Sequence, residues 1–318
     1  MNRVAKICII LSGALVILSG SVLGMSACAS GGKIGPATYE SNTYTVSEKI
    51  NNIVLNTDTA DIEFVLSVDE SCKVVCYENK NRKHSVEINN GTLNISEYEE
   101  KKWYEYINFS FNSPKITVFL PAQKYEVLNI SEDTGDISIS QDLNFKNIDI
   151  ITDTGDIICY ASASERIKIE TDTGNIKLKN IDTGSLDLTV STGCIEVFDS
   201  KCKEDITIYV STGETLLKNV TCKNLTTDGS TGDISLNSVI ASEGWDIKRS
   251  TGEVKFDRCD ASTILIETST GEVEGTILSE KIFIAKSSTG DIDVPETTSG
   301  GICKITTSTG DIDVIIVN

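Results

Sequence analysis

Histidine occurs once in this sequence of 318 residues, methionine and tryptophan twice each, and proline four times. A single imidazole, His84, leaves little material for the commonest acid–base chemistry. Its neighbours in sequence complete no catalytic pair, so it reads as an exposed strand residue. Basic residues are also scarce, 28 against 47 acidic ones, for a formal charge of −19. That balance argues against nucleic acid or an anionic lipid surface as the main ligand. The apolar spacings of three and four that mark amphipathic helices are missing. Ile, Val, Leu, Thr and Ser are abundant, which favours strands. Charged and apolar residues alternate closely, and only a linker reads as disordered.

The N-terminus carries Arg3 and Lys6 and then an uncharged run from Ile7 to Gly32. A stretch of ~20 apolar residues can cross a bilayer, and the basic flank would hold that end in the cytoplasm. Residues 1–28 therefore read as a signal or anchor segment. It could be retained, cut at Ala27-Cys28-Ala29, or processed at the lipobox-like Met25-Ser26-Ala27-Cys28 with lipid on Cys28. Each outcome exports the rest of the chain. Residues 29–43 read as a linker.

The ten cysteines are irregularly spaced. Cys72 and Cys76 fall four apart in a predicted strand, and Cys202 and Cys222 take the same position in neighbouring repeats. They read as small buried hydrophobes, with an inter-repeat disulfide as the alternative. No spacing suits a structural zinc site.

From about Ser131 a Thr-Gly pair recurs ten times, at Gly135, Gly155, Gly174, Gly193, Gly213, Gly232, Gly252, Gly271, Gly290 and Gly310, at intervals of 19 or 20 residues. The unit is (Asp/Ser)-Thr-Gly-(Asp/Glu)-(Ile/Val). Glycine supplies the positive φ of a sharp turn, and the preceding Asp or Ser can bond the turn backbone. Alternation with period two follows, as in Ile137/Ile139, Ile195/Val197 and Val254/Phe256, which is a strand with one buried face. A second alternating strand closes each unit: Ile148/Ile150, Leu186/Leu188, Ile264/Ile266 and Ile282/Ile284 are examples. Such units bury their apolar faces only by stacking. The predicted fold is all-β, a parallel β-solenoid of about 19–20 residues per coil over 129–318. Ten coils at the spacing of sheet strands make a rod of ~45–50 Å.

Residues 44–128 read as an irregular β region that caps the solenoid. Asn56-Thr57-Asp58-Thr59-Ala60-Asp61-Ile62 looks like a degenerate first unit with Ala60 in place of glycine. Asn90-Gly91 marks a hairpin. The aromatic stretch Trp103 to Phe111 would cover the open end of the core, or serve as a binding platform. At the other end, Val314-Ile315-Ile316-Val317 looks like an unpaired apolar edge, which predicts either end-to-end self-association or a fold-back that covers it.

Ile181-Asp182-Thr183-Gly184-Ser185 imitates an aspartic protease, but such enzymes need two facing loops whose carboxylates share a proton. Asp-Thr-Gly here behaves as a turn. A solenoid carbohydrate-active enzyme is the stronger enzymatic alternative and would need clustered acids in a groove. The residues that follow the glycines form an acid column: Asp136, Asp156, Asn175, Cys194, Glu214, Asp233, Glu253, Glu272, Asp291 and Asp311. A second column, Glu274, Asp293 and Asp313, joins it near the C-terminus. Together Glu272, Glu274, Asp291, Asp293, Asp311 and Asp313 would share one patch. Stacked carboxylates repel, and Ca²⁺ would relieve that repulsion. The other reading is a solvated acidic face that blocks aggregation.

Gly91-Thr92-Leu93-Asn94-Ile95, Lys115-Ile116-Thr117-Val118-Phe119-Leu120-Pro121 and the iterated Asp/Ser-Thr-Gly-Asp-Ile units resemble a bacterial family of putative adhesins with β-strand repeats and unknown function. The resemblance covers nearly everything after the N-terminal segment. It implies an envelope-associated β-solenoid, in some members linked to surface attachment or envelope-stress sensing, and supplies no catalytic residues to transfer. The expectation is a non-enzymatic, exported surface scaffold or binding module without a cofactor, calcium aside. A carbohydrate-active enzyme and a purely structural stalk are the alternatives.

Overall fold

The computed structural model describes residues 17–18, 39–80, 82–99 and 113–317. The expected aromatic cap at Trp103 to Phe111, Cys28 and nearly all of the N-terminal segment lie outside these residues. Ile17–Leu18 runs antiparallel to Tyr44 and Thr45. Among the described residues no helix is long and apolar enough to cross a membrane.

The repeat array is a right-register stack of parallel strands, and each coil has three sides. In the coil around Gly155, the first side is the part of Asn144–Thr154 after the bulge at Phe145, the second is Ile157–Cys159, and the third is the start of Ser162–Thr173, up to the bulge after Ala163. Equivalent inward aliphatics stack from coil to coil: Ile148 pairs with Ile167, which pairs with Leu186 and then Ile206. All four are buried. Each such side chain contributes roughly 1.5–3 kcal/mol when fully buried.

Three kinds of corner separate the sides. The repeat glycines form the first, with φ between 122° and 156°. The second uses a single left-handed residue, as at Asp142, Asn180, Asp199, Asn219, Ser238 and Arg258. Asp and Asn tolerate that conformation better than most residues. The third is a bulge, seen as a register shift between Phe145 and Asn147 or between Cys222 and Asn224.

At the glycine corner φ is only part of the requirement. A Cβ on Gly232 would lie 2.0 Å from the carbonyl oxygen of Gly213, and one on Gly155 would lie 1.9 Å from that of Gly135. The glycines therefore touch backbone to backbone along the whole stack. Ala60 fits the first corner because no glycine corner lies beyond it; its N–H donates to Thr134 O at 3.2 Å.

Three residues before each glycine an inward position meets this crowded corner. It is Thr in Thr152, Thr171, Thr268 and Thr307, all buried, but Glu132 and Arg249 also occupy it. Glu132 Oε1 accepts from Ala60 N at 2.9 Å and from Thr57 Oγ at 3.4 Å. Burial pushes its carboxyl up to about 8 despite those bonds, with Asp61 and Asp136 adding to the rise. Arg249 threads two coils back and donates to Val210 O at 2.8 Å. It passes through the space left by Gly229, where a Cβ would sit 1.9 Å from Arg249 Nη1.

Both ends of the stack depart from chain order. At the N-terminal end, Asn52–Thr59 and Asp61–Leu66 form the first coil and pair with Lys124–Thr134 and Ile137–Ile139. Thr92–Glu99 and Lys115–Leu120 lie outside that coil, in parallel with it. Antiparallel strands complete the cap: Arg82–Asn89 on Thr92–Glu99, then Cys72–Asn79 and Tyr39–Val46 beyond Lys115–Leu120. Asn90 and Gly91 make the expected hairpin, both with positive φ. The solenoid thus includes residues 52–66, and a boundary at 128 would cut the strand Lys124–Thr134. The expected linker is shorter than 29–43, because a strand begins at Tyr39.

At the C-terminal end the last coil in sequence is next to last in space. Val254–Thr270 pairs with Gly301–Thr309, not with Lys281–Thr289, which lies one place further out. Ile312–Ile316 is likewise flanked by Val273–Ile277 and Ile292–Asp293. The C-terminal strand is therefore a covered one, and the open edge is Lys281–Asp293. The strand phase of Ile282 and Ile284 also differs from expectation. Phe283 and Ala285 face inward, in register with Cys303 and Ile305, while Ile282 and Ile284 are exposed. In every coil the inward residues stand seven and five places before the glycine, which selects Phe283 and Ala285 ahead of Gly290.

Two measurements check these corners. Gly232→Val should cost at least ~3 kcal/mol in chemical denaturation, and Ser235→Val, on an outward position, should stay within about 0.5 kcal/mol; equal losses would refute the corner assignment. For Glu132, the folded chain keeps a proton that the unfolded chain gives up near 4.5, so stability falls as pH rises from 4.5 to about 8. Glu132→Gln should gain on wild type across that window, by up to ~1.4 kcal/mol for each pH unit. Parallel pH profiles would mean that Glu132 is ionised in the fold.

Candidate functional site

The six carboxylates expected at the C-terminal end do come together. Glu272, Glu274, Asp291, Asp293, Asp311 and Asp313 line one shallow cleft of about 230 Å³ with Val273 and Ile312 on its floor. Because of the coil order, Asp311 and Asp313 stand in the middle: Asp313 is in register with Glu274 on one side and with Asp293 on the other.

The acid column has a structural task along its length. Among the described residues the N–H of the residue after the glycine has no backbone acceptor, and at several corners the side chain of its counterpart on the neighbouring coil accepts from it. Asp156 N donates to Asp136 Oδ1 at 2.9 Å, Asn175 N to Asp156 Oδ1 at 2.8 Å, and Cys194 N to Asn175 Oδ1 at 2.9 Å. Glu253 N donates to Asp233 Oδ1 at 2.8 Å. Among the described residues no such bond follows Cys194, Glu214, Glu253 or Glu272. Cysteine offers no carboxylate, and the extra methylene of glutamate carries its oxygens past the N–H.

Within the patch, Asp311 Oδ1 is held in this way by Asp291 N at 2.8 Å. Glu274 pairs with Lys255 at 3.1 Å, and Lys255 also meets Glu253 at 2.9 Å. Glu272, Asp291, Asp293 and Asp313 have no ion-pair partner among the described residues. They are the carboxylates free to meet a cation or a donor-bearing partner.

The protease-like stretch has a different place from the repeat motif. Asp182, Thr183 and Gly184 sit at the bulge corner, not at the glycine corner. Thr183 is buried and its hydroxyl donates to Ser185 O at 2.9 Å; Asp182 is exposed and pairs with Lys203 at 3.5 Å. Gly184 is required because a Cβ would meet Glu165 O at 2.1 Å.

The eight described cysteines are free thiols, so Cys202 and Cys222 are not bridged. Burial pushes Cys159 and Cys222 up to about 12 and Cys259 to about 11, which keeps them protonated fillers of the core.

His84 contradicts its sequence reading. It is buried, and its Nδ1 lies 2.8 Å from Glu78 Oε2. Glu78 is itself fully buried. The sequence signal was the alternation of Cys72, Val74, Cys76 and Glu78, which places a glutamate on the inward phase of the strand.

Solved structures of low identity share the fold. A putative adhesin from Parabacteroides distasonis ATCC 8503 is 10% identical with a TM-score of 0.54; the match covers 88% of this chain and 98% of that one. A putative lipid binding protein from the same organism is 16% identical with a TM-score of 0.51, and the match covers 86% and 96%. No curated protein matches the chain in sequence. Residues 50–207 and 199–318 match the family described as Toastrack DUF4097. Together these spans run from the first coil to the C-terminus: the chain belongs to the Toastrack DUF4097 family.

Proposed function

We propose that this protein is a non-enzymatic, exported β-solenoid that presents a binding surface at the cell envelope, for adhesion, envelope interaction or sensing. Attachment would run through the N-terminal segment, retained as an anchor or lipidated at Cys28. The observation that carries this reading is the polarity of the rod. The chain enters at the capped end, and the opposite end concentrates what a partner could recognise. There the acidic cleft lies at the end that also exposes Ile282, Ile284, Ile302 and Ile315. Between the two ends, one aliphatic pattern repeats along most of the core. The names of the two structural relatives, an adhesin and a lipid binding protein, are in keeping with binding rather than turnover.

Two experiments test it. The chain lacking residues 1–28 should be retained by cell-wall or envelope-protein fractions, and retention should fall on replacing Asp293 and Asp313 by Asn. Cleavage of envelope polysaccharide by the purified protein, without retention, would overturn the proposal in favour of a carbohydrate-active enzyme. For the patch itself, Ca²⁺ should bind with a Kd on the order of 10⁻³ M, as in extracellular modules, and raise the melting temperature of wild type but not of the Asp293→Asn/Asp313→Asn variant. Calorimetry without heat and an unchanged melting temperature would leave the patch as a solvated acidic face.

A further inference from the structure

In the N-terminal cap, Cys72–Asn79 directs Cys72, Val74, Cys76 and Glu78 inward. Alternate residues of a strand share a face, so Cys76 and Glu78 are neighbours there. Arg82–Asn89, which pairs with Thr92–Glu99, brings His84 in against them. The Cys76 sulfur, a Glu78 carboxylate oxygen and a His84 ring nitrogen lie within 4.8 Å of one another, and all three residues are buried.

The polar bonding around this trio is incomplete. Glu78 Oε2 accepts from the His84 N–H at 2.7 Å and contacts Nδ1 at 2.8 Å, while Oε1 accepts from Asn42 Nδ2 at 2.6 Å. Among the described residues His84 Nε2 is buried without a hydrogen-bond partner. An imidazole in an apolar interior with half its bonding capacity unmet calls for an explanation. The Cys76 thiol also has no hydrogen-bond partner among the described residues, whereas Cys159 and Cys259 donate to Ala161 O and Asp257 O.

We infer that Cys76, Glu78 and His84 form a binding site for a thiophilic divalent cation, with zinc the ion that suits the donor set best. Thiolate and imidazole select zinc-like ions over calcium or magnesium, which prefer oxygen alone. Thiolate and carboxylate together cancel the charge of a dication, so the loaded centre is neutral, as an apolar interior requires. Ligands at ~2.0–2.3 Å from zinc stand roughly 3–4 Å apart, inside the 4.8 Å that bounds the trio. Asn42 is a positioning residue that holds the carboxylate. Tyr44, whose hydroxyl donates to His84 O at 3.3 Å, holds the histidine backbone. Binding displaces the Cys76 thiol proton to solvent. The ion would tie Cys72–Asn79 to Arg82–Asn89, two cap strands that belong to different ladders.

The test is a Co²⁺ titration of the full chain in detergent, followed by Zn²⁺ competition. Wild type should take up one equivalent with a thiolate-to-cobalt charge-transfer band that Zn²⁺ abolishes, and Zn²⁺ should raise its melting temperature. Cys76→Ser should lose the band, His84→Gln should weaken binding at least ~10-fold, and Asn42→Ala by ~10–100-fold. Cys72→Ser, buried on the same strand but outside the trio, should keep both band and affinity. If circular dichroism shows Cys76→Ser unfolded, the His84 and Asn42 variants decide. A folded wild type without the band, or a band that survives in Cys76→Ser or vanishes in Cys72→Ser, overturns the site.

Discussion

Everything in this molecule depends on a carbonyl oxygen standing where a side chain's first carbon would otherwise be. At each corner the oxygen of one glycine fills the Cβ position of the next, from Gly135 to Gly271 and on through Gly310 to Gly290. That contact brings neighbouring corners to backbone distance and locks their register. With the register locked, the three sides align their aliphatics into ladders, and burial follows as a collective property of the stack. The same closeness strands one N–H per corner, which explains why aspartate or asparagine so often follows the glycine. The acid column is thus first a hydrogen-bonding device of the backbone, and only where that task is vacant or doubled does it become a surface.

The C-terminal patch shows how the two roles separate. Asp311 is spent on the corner and Glu274 on Lys255, and the remaining carboxylates face solvent without an ion-pair partner among the described residues. A reading of charge alone treats all six as equivalent. Geometry divides them, because reach matters: an aspartate oxygen arrives at the neighbouring N–H, and a glutamate oxygen overshoots it. The interior has its own exceptions in Glu132 and Arg249, each tolerated where the corner supplies backbone partners or, at Gly229, missing volume.

Much of this was legible beforehand. Ten glycines at nearly constant spacing, with alternation on both flanks, defined the coil and most of the core from Ile137 to Ile312. The hairpin at Asn90-Gly91 and the degenerate coil at Ala60 were also visible. Ile282-Phe283-Ile284-Ala285 was misphased because four apolar residues in a row fit either face, and only the count back from Gly290 decides. The coil order at the C-terminus left no trace in the sequence, since any repeat can pair with any other of similar pattern. His84 and Glu78 were hidden for a further reason. Their partnership joins strands of different ladders, and periodicity within a strand says nothing about what stands across from it.

The inverted order of the last two coils also bears on how the molecule is completed. The coil around Gly290 precedes the coil around Gly310 in the chain, yet the later one holds the place against Val254–Thr270. The earlier coil must stay undocked, or dock and then be displaced, until the later one is in place. Closure of this end is therefore a non-local event that brings the coil around Gly310 against Val254–Thr270 across the intervening coil, in contrast to the coil-by-coil growth open to the rest of the stack.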